Sequence, residues 1–166
     1  AAVGRADTIG SIEEGKQADI LIMKYPSIAY LPYHTAVNQV ETHPYTQQTE
    51  AMKTMQSFGI QTEAWGPLAE GMNGLFTDPV LSAIGRKYVK TAAQVVLRWH
   101  LQRGVIAIPK SIHKERMVEN FSITDFMLSE EDMARIASMD TNRSLILDVK
   151  SPKETERLYS IDVPVL

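Results

Sequence analysis

The sequence predicts an α/β fold in which a small parallel sheet is covered by helices. Three segments favour strands, and they lie at residues 36–45, 60–65 and 105–108. Segments with the apolar spacing of helices separate them, and strands that alternate with helices form right-handed βαβ units. The 166 residues allow one domain with a core rather than two large ones.

The first βα unit begins with AVNQVETHPY (36–45), whose apolar residues alternate as in a half-buried strand. We expect Thr46 to cap the helix that follows, over Gln47–Phe58. The apolar positions of this helix share one face and are Ala51, Met52, Met55 and Phe58. Gly59 is the expected helix stop.

The second unit begins with a strand over Ile60–Trp65, which Gly66 and Pro67 end. A glycine-containing loop follows at residues 69–76. Asp78 is the expected N-cap of the next helix, with Pro79 as its first residue. Residues Thr91–Gln94 form a capping box at the start of another helix, in which Trp99 is expected to lie in the core.

The third strand, Val105–Ile108, ends at Pro109 because proline cannot donate to a sheet. Lys110 and Ser111 are predicted to lie in the turn into a helix that carries Arg116. A cation, a hydroxyl and a guanidinium near a helix start suit a phosphate group. The alternative is that Lys110 and its basic neighbours form only a solvated helix face. A last helix is predicted from Ser129, with an acidic first turn.

The net charge and the residue composition argue against several classes of function. The net charge of −3 argues against nucleic acid as a main partner, and no apolar run reaches the roughly 20 residues of a membrane span. The sequence has no cysteine, which fits a cytoplasmic protein. Its four histidines show neither HxH nor the i, i+4 spacing of a helical zinc site, so no metal site is predicted.

From residue 36 to about residue 158 the chain resembles the NADP-dependent aldo-keto reductases, through NQVE, WGPLA and IPKS followed by KERMVENF. The resemblance implies an NADP(H) site in which Lys110, Ser111 and Arg116 hold the adenosine 2′-phosphate. It also implies that Glu119 and Asn120 contact the adenine. The nicotinamide side would consist of Gln39, Trp65, Gly66, Pro67 and Leu68. In that family the Gln binds the nicotinamide amide and the aromatic residue stacks on the ring. Without the resemblance, core packing is the favoured explanation of Trp65.

The resemblance also fixes the expected architecture, a TIM (β/α)8 barrel. A complete barrel needs roughly 250 residues. This chain holds three of the strands, so its fold class is α/β, a partial barrel with the last three βα units. Two strand edges and the barrel-lining face would be open, so we expect a homo-oligomer or a partner chain that covers the sheet.

Residues 1–36 differ from the rest and are expected to form a separate segment ahead of residues 37–166. They read as a β-hairpin around a Glu13–Gly15 turn, with Ala18–Met23 the stronger strand, followed by a linker at Tyr25–His34. GSIEEGKQADILIM and YLPYH resemble the C-terminal end of an amidohydrolase, most closely imidazolonepropionase. The metal ligands of those enzymes lie elsewhere, so a hydrolase is the weakest of the hypotheses.

The aldo-keto reductases reduce carbonyls with a Tyr, a Lys, an Asp and a His from the first half of the barrel. None of the corresponding motifs occurs in this sequence, so no catalytic residue is predicted. Loss of the general acid alone removes a factor of roughly 10²–10⁴. Three hypotheses follow: a fragment that keeps the phosphate side of an NADP(H) site, a carbonyl reductase completed by oligomerisation or by a partner chain, and a non-enzymatic fusion or interaction module.

Overall fold

The computed structural model describes residues 18–19, 37–148 and 151–160. Its main sheet has three parallel strands in the order β2–β3–β4. These are β2 (Val37–Glu41), β3 (Gln61–Trp65) and β4 (Ile106–Ala107). A second pair, β1 (Ala18–Asp19) and β5 (Lys110–Ser111), is antiparallel. The predicted three-stranded parallel sheet is therefore confirmed.

Helices connect and follow the strands. Among the described residues, one helix lies between β2 and β3, two lie between β3 and β4, and three follow β5. They are α1 (Thr49–Ser57), α2 (Pro79–Tyr88), α3 (Ala92–Gln102), α4 (Lys114–Phe121), α5 (Glu130–Ala137) and α6 (Pro152–Tyr159). A segment of 3-10 turns, Ala69–Thr77, precedes α2 and is interrupted by residues with left-handed backbone angles. The sequence had predicted a loop there.

The core lies between the helices and one face of the sheet. One cluster joins α2, α3 and α5 through fully buried side chains, among them Leu81, Ile84, Trp99 and Ile136. A second cluster joins α3, β4 and α4 through Leu97, Ala107, Met117 and Ile123. Trp99 is 1% exposed, so the prediction that it belongs to the core is confirmed.

Three helix starts are held by side-chain caps, and two of these, at Asp78 and Thr91, were predicted from the sequence. Asp78 accepts hydrogen bonds from the backbone N–H groups of Val80 and Leu81, at 2.9 and 3.1 Å. Thr91 and Gln94 form the reciprocal capping box at the start of α3. Ser129 begins α5 in the same way, with Asp132 as its partner. Each cap satisfies backbone donors that a helix start leaves unpaired.

The predicted start of α1 was wrong. The helix begins at Thr49 rather than Gln47, and its N-cap, Gln48, makes no side-chain cap. Thr46 instead closes a tight turn with His43, in which each backbone N–H donates to the other residue's carbonyl at 3.0 Å. The Thr46 hydroxyl donates to the carbonyl of Arg143. A long-range partner therefore took the hydroxyl that the local pattern had assigned to a cap.

The predicted apolar face of α1 was also wrong. Met55 is buried, but Ala51 is exposed and Phe58 is 76% exposed. The helix packs on β3, and Met55 meets Asn38 of β2 and Thr62 of β3. Among the predicted apolar positions, only Met55 is fully buried in this contact.

Two further parts of the chain differ from the prediction. The helix α6 was not predicted after the one that begins at Ser129. Lys110 and Ser111 lie in an extended strand paired with Ala18 and Asp19, rather than in a simple turn. The remainder of the predicted N-terminal hairpin and the Tyr25–His34 linker lie outside the described residues.

Candidate functional site

The parallel sheet brings both halves of the predicted residue set to one edge. Carboxyl ends of parallel strands share an edge, which in open and closed α/β folds is where ligands bind. Trp65 is the last residue of β3, and Gln39 lies two residues before the end of β2. Lys110 follows β4 directly after Ile108 and Pro109. All of these side chains therefore originate on the carboxyl side of the same sheet.

Gln39 and Glu63 lie opposite each other on the face of the sheet that α1 does not cover. Asn38 and Thr62 both contact Met55 of α1, and side chains alternate along a strand, so Gln39 and Glu63 face the other way. The two are register partners in β2 and β3. The Gln39 side-chain amide N–H donates to the Glu63 carboxylate.

Trp65 leads into a turn that contains Gly66, Pro67 and Leu68. The indole is half-buried, so part of its surface stays open at the sheet edge. Gly66 has φ +61, a left-handed conformation that glycine adopts without steric cost. Pro67 is buried, and Leu68 packs against both core clusters. Pro67 and Leu68 therefore hold the turn against the core, while Trp65 stays accessible.

His100 holds this turn from α3. It is fully buried, and its Nε2 lies 3.2 Å from the Pro67 carbonyl oxygen, which can accept only if Nε2 carries the proton. Its Nδ1 has no hydrogen-bond partner among the described residues. Burial lowers the pKa of His100 to about 3, and the charge of Arg103 contributes in the same direction. The ring is therefore neutral.

Glu41 ties the later segment 144–146 across the end of β2. Its carboxylate accepts from the backbone N–H groups of Leu145 and Ile146, at 2.7 and 3.1 Å, and from the Ser144 hydroxyl. A Cβ atom built on Gly66 would lie 2.5 Å from the Ile146 Cδ1. Segment 144–146 therefore lies against the turn after β3.

Hydrogen bonds dominate the charge state of Glu41. Burial by itself would raise its pKa, but the bonds from Ser144, Leu145, Ile146 and His43 outweigh burial and hold the pKa below its usual value. The His43 Nε2 lies 3.0 Å from the Glu41 carboxylate, and burial lowers the pKa of His43. The carboxylate is thus ionised at neutral pH beside a neutral imidazole.

Lys110 and Ser111 form β5. Lys110 is exposed and makes no ion pair with another described residue. The Ser111 side chain is 9% exposed, and its Oγ accepts from the backbone N–H of His113 at 3.1 Å. Its proton points to the His113 carbonyl at a longer 3.3 Å. A weakly bound hydroxyl proton can be redirected to a stronger acceptor.

The remaining candidates lie on α4. Arg116 is exposed in the first turn and makes no ion pair with a described residue. Glu119 accepts a hydrogen bond from the Thr91 hydroxyl, and Asn120 is buried. The helix thus presents Arg116 to solvent near the Lys110–Ser111 strand while Glu119 joins it to the start of α3.

Three residues of the site were not predicted from the sequence: Glu41, Glu63 and Ser144. A carboxylate at the end of a strand predicted to be half-buried was the available signal for Glu41, since such a group must find donors. Nothing local identifies Ser144, which lies 103 residues away from its partner. For Glu63 the sequence predicted only a position in a strand, because its bond to Gln39 depends on the register between the strands.

A surface groove lies away from these residues. It has a volume of about 1100 Å³ and is lined by the start of α1 and the segment after α5, including Gln48, Asp140, Asn142 and Arg143. None of the predicted site residues borders it, so its size carries no weight in assigning them.

Within the described residues there is no cluster of three or more acidic or histidine side chains that would hold a metal ion. Over that same part of the chain, no helix is long and apolar enough to cross a membrane.

Comparisons with known proteins agree with this geometry. An aldo-keto reductase of Mycolicibacterium smegmatis is 47% identical over 110 residues, and methylglyoxal reductase DkgA of Escherichia coli (strain K12) is 42% identical over 109 residues. Each match covers 66% of this chain, and the chain spans about 40% of the length of these curated relatives.

Solved structures show the same likeness. A mutant of Gox0644 in complex with NADPH superposes with a TM-score of 0.63 and 40% identity, over 66% of this chain and 40% of that one. MGS-M4, an aldo-keto reductase from a deep-sea metagenome library of the Medee basin, has a TM-score of 0.63 and 39% identity over 65% of this chain and 40% of that one. The likeness agrees with a partial TIM barrel, as the sequence predicted.

The sequence pattern described as "Aldo/keto reductase family" matches residues 27–141. The match includes all three parallel strands and every residue predicted for the cofactor site, from Gln39 to Asn120. It begins ten residues before the boundary expected at residue 37. The chain therefore belongs to the aldo/keto reductase family.

Proposed function

We propose that this chain binds NADP(H) at the carboxyl edge of the sheet and distinguishes it from NAD(H) by the 2′-phosphate. Lys110, Ser111 and Arg116 would hold that phosphate. Glu119 and Asn120 would meet the adenine. The nicotinamide half would lie along Gln39, Trp65 and the turn formed by Gly66, Pro67 and Leu68.

The observation that carries the proposal is the state of the two cations. Lys110 and Arg116 are exposed without an ion pair to any described carboxylate, and they flank a serine whose hydroxyl proton is only weakly bound. Charged groups that are not already paired keep their full attraction for an incoming dianion. The NADPH complex of a relative that is 40% identical supports the choice of ligand.

We expect the isolated chain to reduce carbonyl compounds weakly or not at all. The described sheet has three parallel strands, whereas a closed barrel of this type has eight. No described residue at its edge is placed as a proton donor in the way the family's tyrosine is. Partial contacts must also offset the full cost of immobilising a ligand, so affinity falls faster than contact area.

Calorimetric titration of the chain with NADPH and NADH tests the proposal. We expect NADPH to bind at least tenfold more tightly, since each charge-assisted contact to the phosphate contributes roughly 1.5–3 kcal/mol. The double variant Lys110→Ala/Arg116→Ala should bring NADPH down to the affinity of NADH. A control double variant, Lys53→Ala/Arg135→Ala, removes the same charge from other helices and should keep the preference. Equal or absent binding of the two dinucleotides by the natural sequence would reject the proposal.

A second candidate function is that of a non-enzymatic interaction module. The observation that favours it is the antiparallel pairing of Ala18 and Asp19 with Ser111 and Lys110, because an N-terminal segment then lies on the strand proposed to hold the phosphate. The separate segment 1–36 with its amidohydrolase-like sequence, and a second copy or partner chain on the open sheet, belong to this candidate. Two results together would favour this candidate: sedimentation that shows a self-associated chain, and an unchanged melting temperature when NADPH is added.

A further inference from the structure

We infer that Glu63 is a positioning residue that fixes which end of the Gln39 amide faces a bound nicotinamide; the inference rests on the proposed function. A carboxylate has no proton at neutral pH and can only accept hydrogen bonds. The Gln39 group that contacts Glu63 must therefore be the NH2 group, whichever way the amide is drawn.

This bond leaves the Gln39 carbonyl oxygen as the group available to a ligand. A free glutamine on a strand can turn its amide and present either a donor or an acceptor. With one N–H of its NH2 group held by Glu63, Gln39 turns its carbonyl oxygen away from Glu63, where that oxygen can accept a hydrogen bond from a ligand. The ligand group that an acceptor selects is an N–H donor, and the nicotinamide carboxamide carries one.

The position of the pair suits this role. The next register pair along the same face is Glu41 and Trp65, about 7 Å further toward the carboxyl edge. A ring stacked on the half-buried Trp65 would carry its carboxamide toward Gln39 at that spacing. Gln39 is exposed and Glu63 only half-buried, so the face is open to a ligand.

Glu63 acts on the ligand through Gln39 and is not a catalytic residue. A merely structural contact between strands would change the melting temperature and weaken all ligands alike. An orienting contact changes the discrimination between ligands that differ only in the carboxamide.

The test compares NADP+ with 3-acetylpyridine adenine dinucleotide phosphate, in which a methyl group replaces the carboxamide NH2. Both carry the same charge, so their ratio of dissociation constants isolates one hydrogen bond. We expect the natural sequence to prefer NADP+ about fivefold, the value of one neutral hydrogen bond. Glu63→Gln allows the Gln39 amide to turn, so the ratio should fall to about one. Glu63→Thr, which keeps strand propensity, should give the same ratio.

Glu50→Gln is the matched control, since Glu50 lies on α1 in an exposed pair with Lys53 and its change also removes one negative charge. It should keep the fivefold ratio. A natural chain that binds neither dinucleotide would overturn the proposed function and this inference together. A chain that binds NADP+ but shows no preference, or keeps its preference in both Glu63 variants, would overturn the role of Glu63 alone.

Discussion

The two ends of the candidate site are built in different ways. The phosphate end, Lys110 to Asn120, comes from one continuous stretch, and its cations are exposed without ion pairs to described residues. The strand end, around Trp65, is assembled from distant segments through buried hydrogen bonds, such as those of Glu41 and His100.

This difference predicts that substitutions at one end change ligand affinity alone, whereas substitutions at the other end also change the stability of the fold. At the phosphate end, changing Lys110 or Arg116 would remove a proposed contact to the ligand and leave the fold intact, because both side chains are exposed. At the strand end, the residues that support the turn after β3 also stabilise the protein. We therefore expect substitutions at the strand end to lower the free energy of unfolding strongly. The double variant Lys110→Ala/Arg116→Ala should hardly change it.

The largest effect is expected at Glu41. Glu41→Ala removes the acceptor for two backbone N–H groups and a hydroxyl, so the free energy of unfolding should fall by about 3 kcal/mol in urea titration. Glu41→Gln keeps one acceptor oxygen and should cost about 1 kcal/mol. Because the folded-state pKa of Glu41 is lowered, its charged form stabilises the fold above pH 4.5, and this contribution is lost as the pH falls through the folded-state value. If the Ala variant were as stable as the natural sequence, segment 144–146 would not be held by this carboxylate.

A pH effect of intermediate size is expected from His100. Its pKa is about 3 in the folded state and 6.5 as the reference value, so the unfolded chain binds the extra proton between these limits. Stability should therefore fall as the pH drops below 6.5, by about 2 kcal/mol at pH 5. His100→Gln keeps a donor for the Pro67 carbonyl and removes the titration. The variant should lose about 2 kcal/mol less than the natural sequence between pH 7 and pH 5, and an identical loss in both proteins would contradict the prediction.

The smallest effect is expected at Trp65. Trp65→Leu removes the stacking surface but keeps an apolar side chain, so the affinity for NADPH should fall by a factor of about 5–10. NADH should weaken by the same factor, since the ring is common to both dinucleotides. The signal of Trp99, which lies in the core, remains as a fluorescence reporter of folding. A loss confined to NADPH would mean that Trp65 senses the phosphate and that the two ends are not separate.

The parts of the fold that the sequence predicted correctly depend on short-range patterns. The caps of Asp78 and Thr91 lie within three residues of the groups they satisfy. The candidate phosphate residues likewise fall within a single stretch, where residue types and order are visible together. Their relation to Trp65 followed from the family resemblance and from the rule that parallel strands share a carboxyl edge.

The parts that were missed depend on partners far along the chain. The local pattern assigned Thr46 to a helix cap, but its hydroxyl serves Arg143, 97 residues later. The periodicity of α1 suggested a wide apolar face, but only Met55 among the predicted residues is buried, between Asn38 and Thr62 on two different strands. The bond between Gln39 and Glu63 depends on how β2 and β3 are aligned. Local sequence patterns do not show this alignment, because the two strands lie in separate stretches of the chain.

The clasp between Glu41 and segment 144–146 has a consequence for the order in which the protein assembles. Its two sides are 104 residues apart, so closing it requires most of the chain to be in place, and loop closure becomes costlier with length. We therefore expect the clasp to form late in folding and to open before the sheet does. Because the amide protons of Leu145 and Ile146 bind a side chain rather than a neighbouring strand, their exchange with solvent deuterium records each opening at this edge.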